Sequence, residues 1–170
     1  MIPPGSEGLI FLPYLYGERA PIWDERASGV FFGIRSLHTN AHFFRAALEG
    51  ICFALNNILE IIELSASELQ QLNVSGGFVH SQIWMQILAD VTGKKLCLAQ
   101  TEDASSVGAA LLGMKALQII RDYSSVNKVA KTTVQPTKKN VTVYKKCYVI
   151  YRNLYFSLKN YMHEVHIINS

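Results

Sequence analysis

Hydrophobic and polar positions alternate along this chain in blocks that read as strands and helices in turn. Gly8-Leu9-Ile10-Phe11-Leu12 is an apolar run, and Pro13, Gly17 and Pro21 punctuate the segment after it. Those residues forbid a long helix, so the run predicts a short strand that leads into a loop. Val30-Phe31-Phe32-Gly33-Ile34 is β-rich and predicts a second strand. Phe44, Ala47, Leu48, Ile51, Cys52, Leu55, Ile58, Leu59 and Ile62 then recur at intervals of three and four, one apolar face of a long helix that Thr39 or Asn40 can cap. Ser65 to Leu69 reads as a turn or short helix. Leu72-Asn73-Val74-Ser75 is a short strand broken by Gly76-Gly77. The next helix is carried by Ile83, Trp84, Ile87, Leu88 and Val91 and stopped by Gly93. Lys95-Leu96-Cys97-Leu98 is another strand. Asp103 or Ser105 opens a third helix through Val107, Ala110, Leu111, Met114 and Leu117, with Gly108, Ala109 and Gly113 small enough for close packing on its other side. Arg121 to Asn140 reads as a solvated basic loop, and a last helix runs from about Val141 to Met162 with Tyr144, Cys147, Tyr148, Tyr151, Leu154, Tyr155 and Leu158 on its apolar face. Strands alternating with helices predict an α/β layered domain.

Composition narrows the class. The 170 residues are 49% hydrophobic and 17% charged, which excludes a disordered chain and supports one domain with a real core. A net charge of +3 is too small and too scattered to make nucleic acid the main partner. Cys52, Cys97 and Cys147 lie far apart, with no C-x-x-C pair, as in a reduced intracellular protein. The start has no basic n-region, and the most apolar stretch, Gly50 to Leu64, is interrupted by Asn56, Asn57, Glu60 and Glu63. These features predict a cytoplasmic protein with no membrane partner.

The Ser75-Gly76-Gly77 turn lies between a strand and a helix. Two glycines let a ligand approach the backbone, and the first amides and dipole of the helix favour an anion. A lone Gly-Gly is a weak signal and reads first as a plain tight turn, since it matches neither G-x-G-x-x-G nor G-x-x-x-x-G-K-[ST].

Taken together the segments carry a resemblance. Ser75-Gly76-Gly77-Phe78-Val79-His80-Ser81-Gln82-Ile83-Trp84-Met85-Gln86-Ile87-Leu88-Ala89-Asp90 resembles a signature of the FGGY carbohydrate kinases, in which a Gly-Gly loop enters a helix of the form S-x-x-W-x-Q-x-x-A-D. Leu12-Pro13-Tyr14, with Gly17-Glu18-Arg19-Ala20-Pro21, resembles the L-P-Y-x-x-G-E-R-x-P segment of that family. Arg45-Ala46-Ala47-Leu48-Glu49-Gly50 is similar to its R-A-x-L-E-G helix, and Asp103-Ala104-Ser105-Ser106-Val107-Gly108-Ala109-Ala110 to its E-A-S-A-x-G-A-A helix start. Tyr151-Arg152-Asn153-Leu154-Tyr155 ends the chain as these kinases end. Four ordered motifs covering nearly the whole chain are far more specific than any one.

The resemblance implies an actin-like (ribonuclease H-like) α/β fold, here a partial one with a mixed sheet flanked by helices. It implies that residues 1–170 are an incomplete C-terminal ATP-binding domain without the N-terminal sugar-binding domain. The implied activity is transfer of the γ-phosphoryl of ATP, with Mg²⁺, onto a hydroxyl of a small-molecule sugar or sugar acid. Position by position, Gly77 matches the glycine that lies against the adenosine, Ser81 the next polar contact, and Gly76 keeps the turn open; Ser81 is also a good N-cap. Phe78 stands where the family often has a small residue. The family's catalytic aspartate and its phosphate-binding G-T-S turn precede the point where this chain starts, so Asp24, Asp90 and Asp103 are not promoted to that role. Ala20-Pro21-Ile22-Trp23 looks more like gluconate kinases than xylulose kinases.

Other candidates read as structural. His38 and His42 stand four apart, a spacing that suits a metal, but no third ligand is near, and no metal site is expected. His163 and His166 complement the dipole at the end of the last helix. Arg45 and Glu49 read as an i, i+4 pair in the less favoured order, worth about a few tenths of a kcal/mol at most. Glu18 and Arg19 could pair across a domain junction. Leu9 to Leu12 are expected to stay exposed where missing strands would pack, making a homo-oligomer possible. A non-catalytic actin-like module that binds a nucleotide or a partner stays open as an alternative, while a dinucleotide-binding oxidoreductase lacks its glycine fingerprint.

Overall fold

A computed structural model describes residues 2–65, 69–98, 104–123 and 132–168. In chain order they form β1 (Ile10–Leu12), β2 (Val30–Phe32), α1 (Asn40–Ser65), β3 (Gln71–Val74), α2 (Gln82–Thr92), β4 (Lys95–Leu98), α3 (Ala104–Ala116), β5 (Thr133–Val134) and α4 (Lys138–Ile168). β1 and β2 pair antiparallel, Ile10 opposite Phe32. β3 and β4 pair parallel, Gln71 opposite Lys95, and β5 joins β4 antiparallel, giving a mixed sheet in the order β3-β4-β5. Parallel strands need a crossover, and α2 supplies it.

The core lies between β1, α1, α2 and α4. The apolar β1 run is its floor, with Leu9, Ile10, Phe11 and Leu12 all buried. The expected exposure of this run is therefore corrected: α1 and α4 cover both sides of it. Gly50 explains how closely α1 sits, because a Cβ there would lie 2.4 Å from the Phe11 carbonyl oxygen. The tyrosines of α4 enter the same core. Tyr14 and Tyr151 join their hydroxyls at 2.9 Å, and Phe53 packs against Tyr144, Tyr148 and Tyr151.

The buried face of α1 only partly follows the stripe that periodicity predicts, sharing Cys52 and Leu59 with it. It runs through His42, Ala46, Glu49, Gly50, Cys52, Phe53, Asn56 and Leu59, while Phe44, Leu55, Ile58 and Ile62 are exposed. Polar groups occupy the inner face because each finds partners there. Leu55, Ile58 and Ile62 instead wall an open apolar recess of about 380 Å³ with Leu72, Val74, Phe78 and Leu88.

The small residues of α3 do not pack closely: a Cβ on Gly108 or Gly113 would meet nothing within 4 Å. The basic stretch before α4 contains β5, too short to leave a periodic signal, and α4 begins at Lys138 and runs six residues past Met162. Asp103, one of two expected caps of α3, lies outside the described residues. Cys52, Cys97 and Cys147 are free.

Candidate functional site

The Gly76-Gly77 turn leaves the end of β3, whose register on β4 fixes where it emerges. Gly76 has φ 101° and ψ 174°, a region open essentially only to glycine. Gly77 does not have positive φ. A 3-10 turn, Gly77–His80, then separates the glycines from α2, so the helix does not start directly from the Gly-Gly pair. The Val79 amide donates to the Gly76 carbonyl at 3.2 Å, and the Ser81 amide to the Phe78 carbonyl at 3.0 Å.

Ser81 caps α2. Its hydroxyl accepts the Trp84 amide at 3.3 Å, and its carbonyl accepts the Met85 amide at 3.0 Å. The amides of Gln82 and Ile83 have no acceptor among the described residues, so they and the helix dipole are open to a ligand. Among the described residues, added Cβ atoms at Gly76 and Gly77 would meet nothing within 4 Å, so no described residue covers this face of the turn. Phe78 does not obstruct it: the ring turns to the core and lies 5.7 Å from Trp84. The structure thus brings Gly76, Gly77 and Ser81 into one short open turn, with Gly93 ending α2 in the left-handed conformation.

Neither Asp24 nor Asp90 is free for proton transfer. Asp90 is buried and accepts from Gln86 Nε2 at 2.9 Å, the Thr137 amide at 2.7 Å and Asn140 Nδ2 at 2.8 Å, fixing the start of α4. Asp24 accepts from Tyr155 Oη at 2.8 Å and the Arg26 amide at 3.1 Å, and its Oδ2 lies 2.7 Å from His163 Nε2. Burial pulls this carboxyl upward, but its bonds to His163, Tyr155 and the Arg26 amide outweigh that and hold it down at about 2. His163 therefore bonds the Asp24 carboxylate as well as standing at the helix end. Partners separated by 139 residues leave no local signal in sequence.

The Arg45–Glu49 pair is not a surface pair. Glu49 is 2% exposed and accepts from the Gly5 amide, Ser6 Oγ, Arg45 Nε and Tyr144 Oη, all within 3.0 Å. It anchors residues 5–8, four in succession with positive φ. His38 and His42 are held by the backbone: each Nδ1 accepts an N–H, from Arg35 and Thr39. Among the described residues no three His, Cys, Asp or Glu are grouped to hold a metal ion. Glu18 does not pair with the Arg19 side chain; its carboxylate accepts the Arg19 amide at 2.9 Å.

Residues 3–117 match the model for the C-terminal domain of the FGGY family of carbohydrate kinases. The chain belongs to that family. It is 33% identical over 162 residues to a gluconokinase of Bacillus licheniformis, covering 94% of this chain and 32% of that one. The fold superimposes on a ligand-bound xylulose kinase from Lactobacillus acidophilus with a TM-score of 0.85 at 31% identity, covering 92% of this chain and 32% of that chain. A gluconate kinase from the same organism gives 0.84 at 32% identity, with the same coverage. The actin-like fold of FGGY kinases is thus the fold of this chain, which spans about a third of the length of the relatives it matches. No helix among the described residues is long and apolar enough to cross a membrane.

Proposed function

We propose that the chain is the ATP-binding part of the C-terminal domain of a carbohydrate kinase, acting on a sugar or sugar acid. The observation that carries this reading is the open Gly76-Gly77 turn leading to the unpartnered amides of α2, in a chain of the FGGY family. ATP lies against Gly77 with Gly76 keeping the backbone open, and Ser81 combines its capping role with a polar contact to the nucleotide. Mg²⁺ enters with the phosphates of ATP, which supply much of its coordination in such sites. Phosphoryl transfer depends on clamping the phosphates and activating the acceptor hydroxyl together. Asp24 and Asp90 are committed to α4, so the 170-residue chain alone is expected to give no sugar-dependent ADP release with gluconate, xylulose or glycerol. Turnover at ordinary kinase rates would overturn that division of labour.

The nucleotide site is tested by a pair of substitutions read by calorimetry with ATP and by thermal unfolding. Gly77→Val places its side chain in open space without positive φ, so stability changes by no more than about 0.5 kcal/mol. Gly76→Val forces a backbone reserved for glycine and costs about 1–3 kcal/mol. If Gly77→Val keeps both its stability and its ATP affinity, the assignment of this turn is wrong.

A further inference from the structure

The loop from Tyr16 to Arg26 carries more than its fold requires. Its base is rigid. Glu18 and Asp24 exchange backbone hydrogen bonds of 2.9 Å, and the Asp24 side chain is tied to Tyr155 and His163 of α4. On this base Trp23 is held at φ 53° with 76% of its surface exposed, and Tyr16 is fully exposed. A bulky residue with positive φ is a genuine outlier, and such strain collects at ligand clamps. Nothing in the packing needs an indole here, since the ring is mostly in water.

The charges beside it are also uncommitted. The guanidinium groups of Arg19 and Arg26 make no hydrogen bond or ion pair to any described residue. With Glu18 and Glu25 they line the same concavity of about 490 Å³ as Trp23 and Tyr16. An aromatic face offers an apolar bed for a chain of C–H groups. A guanidinium fork takes a carboxylate or phosphate in two parallel bonds. Carboxylates accept from hydroxyls. An anionic polyol needs these three chemistries side by side.

We propose that this loop is a subsite for an anionic polyol, with Trp23 beneath the carbon chain and Arg19 and Arg26 on the anionic group. The shared chemistry fits a sugar acid before transfer or a phosphorylated sugar after it. The proposal rests on the carbohydrate kinase reading and adds to it the loop, the residues and the charge of the ligand.

The chain has two tryptophans, so isotope labelling gives two indole N–H signals, from Trp23 and Trp84. The 170-residue protein is titrated with gluconate, phosphogluconate, neutral sorbitol, inorganic phosphate and ATP. Gluconate, phosphogluconate or both shift the Trp23 indole and leave Trp84 in place; which of them does so identifies the source of the anion. Sorbitol and inorganic phosphate leave Trp23 unmoved. Arg19→Ala and Arg26→Ala each weaken binding roughly tenfold, the loss of one charge-assisted bond, and both sites are exposed, so the fold is kept. The proposal fails if neither anionic polyol moves Trp23, or if sorbitol or inorganic phosphate moves it equally. ATP separates the two readings. Shifts at Gly77 and Ser81 with ATP, alongside a Trp23 that neither anionic polyol moves, keep the nucleotide site and sink the subsite; a Trp23 that gluconate or phosphogluconate moves, with Gly77 and Ser81 silent to ATP, sinks the nucleotide site alone.

Discussion

Glu49 and Asp24 show how single carboxylates tie distant parts of this chain together. Glu49 sits beneath α1 with donors from Gly5, Ser6, Arg45 and Tyr144 converging on it. Burial and then the Glu49 carboxylate keep the Tyr144 phenol protonated far above its ordinary range, so it remains a donor. Glu49→Ala would strand a guanidinium, a phenol, a hydroxyl and an amide away from water. The expected loss is about 3–5 kcal/mol, read from urea unfolding as a lower midpoint with an unchanged slope. Asp24 sets a pH dependence instead. Its folded carboxyl ionises at about 2, below the ordinary 3.8, so the unfolded chain takes up the proton first as the pH falls. The stabilisation is complete above the ordinary value and is lost as the pH falls through about 2. Thermal midpoints from pH 5 downward should therefore drop more steeply for the wild type than for Asp24→Asn; parallel curves would show that Asp24 contributes nothing to acid stability. Of these two residues the sequence marks Glu49 by its motif, but reads its pairing as weak, because burial by residues 5, 6 and 144 cannot be seen from i, i+4 spacing.

At the level of the elements, α1 and β1 meet backbone to backbone at Gly50. A methyl group there would come 2.4 Å from the Phe11 carbonyl oxygen, which cannot swing away as a side chain would. Gly50→Ala gains helix propensity but overpacks this crossing. A net destabilisation of about 1–3 kcal/mol is expected, and a rise in thermal midpoint would show that the crossing has slack. The strands, the three and four spacing of α2 and its stop at Gly93 are legible in sequence because local rules decide them. The tyrosines of α4 are legible as core for the same reason. The buried face of α1 is only partly so, since periodicity counts apolar side chains and this helix turns His42, Glu49 and Asn56 inward. β5 escapes because two residues on a sheet edge carry no pattern, and it exists only through pairing with β4. The Gly76, Gly77 and Ser81 site is legible through motif order, whereas Trp23 and its arginines acquire meaning only once Asp24 is seen anchored to α4.

At the scale of the whole molecule, much apolar surface is left over. The Leu55, Ile58 and Ile62 recess, Leu112 on α3, and Phe156 and Tyr161 on α4 are all exposed. The recess is one continuous apolar patch, and a patch of this kind marks an interface in a stable protein. The isolated chain is expected to run as dimers or larger species in light scattering, with Ile58→Lys and Ile62→Lys shifting it toward monomer. A wild-type monomer at all concentrations would count against an interface there. The expectation of leftover apolar surface comes from sequence, but its place does not: β1 is covered and the outer side of α1 is bare. The covering of β1 has a further consequence, in time rather than space. The partners of Tyr14, Asp24 and Glu49 are Tyr151, His163 and Tyr144, all on the final helix. During synthesis β1 and its loop must wait for partners 137 and 139 positions further on before the polar groups of Tyr14 and Asp24 are satisfied. This core therefore closes only once α4 has emerged from the ribosome, however early β1 and its loop are made.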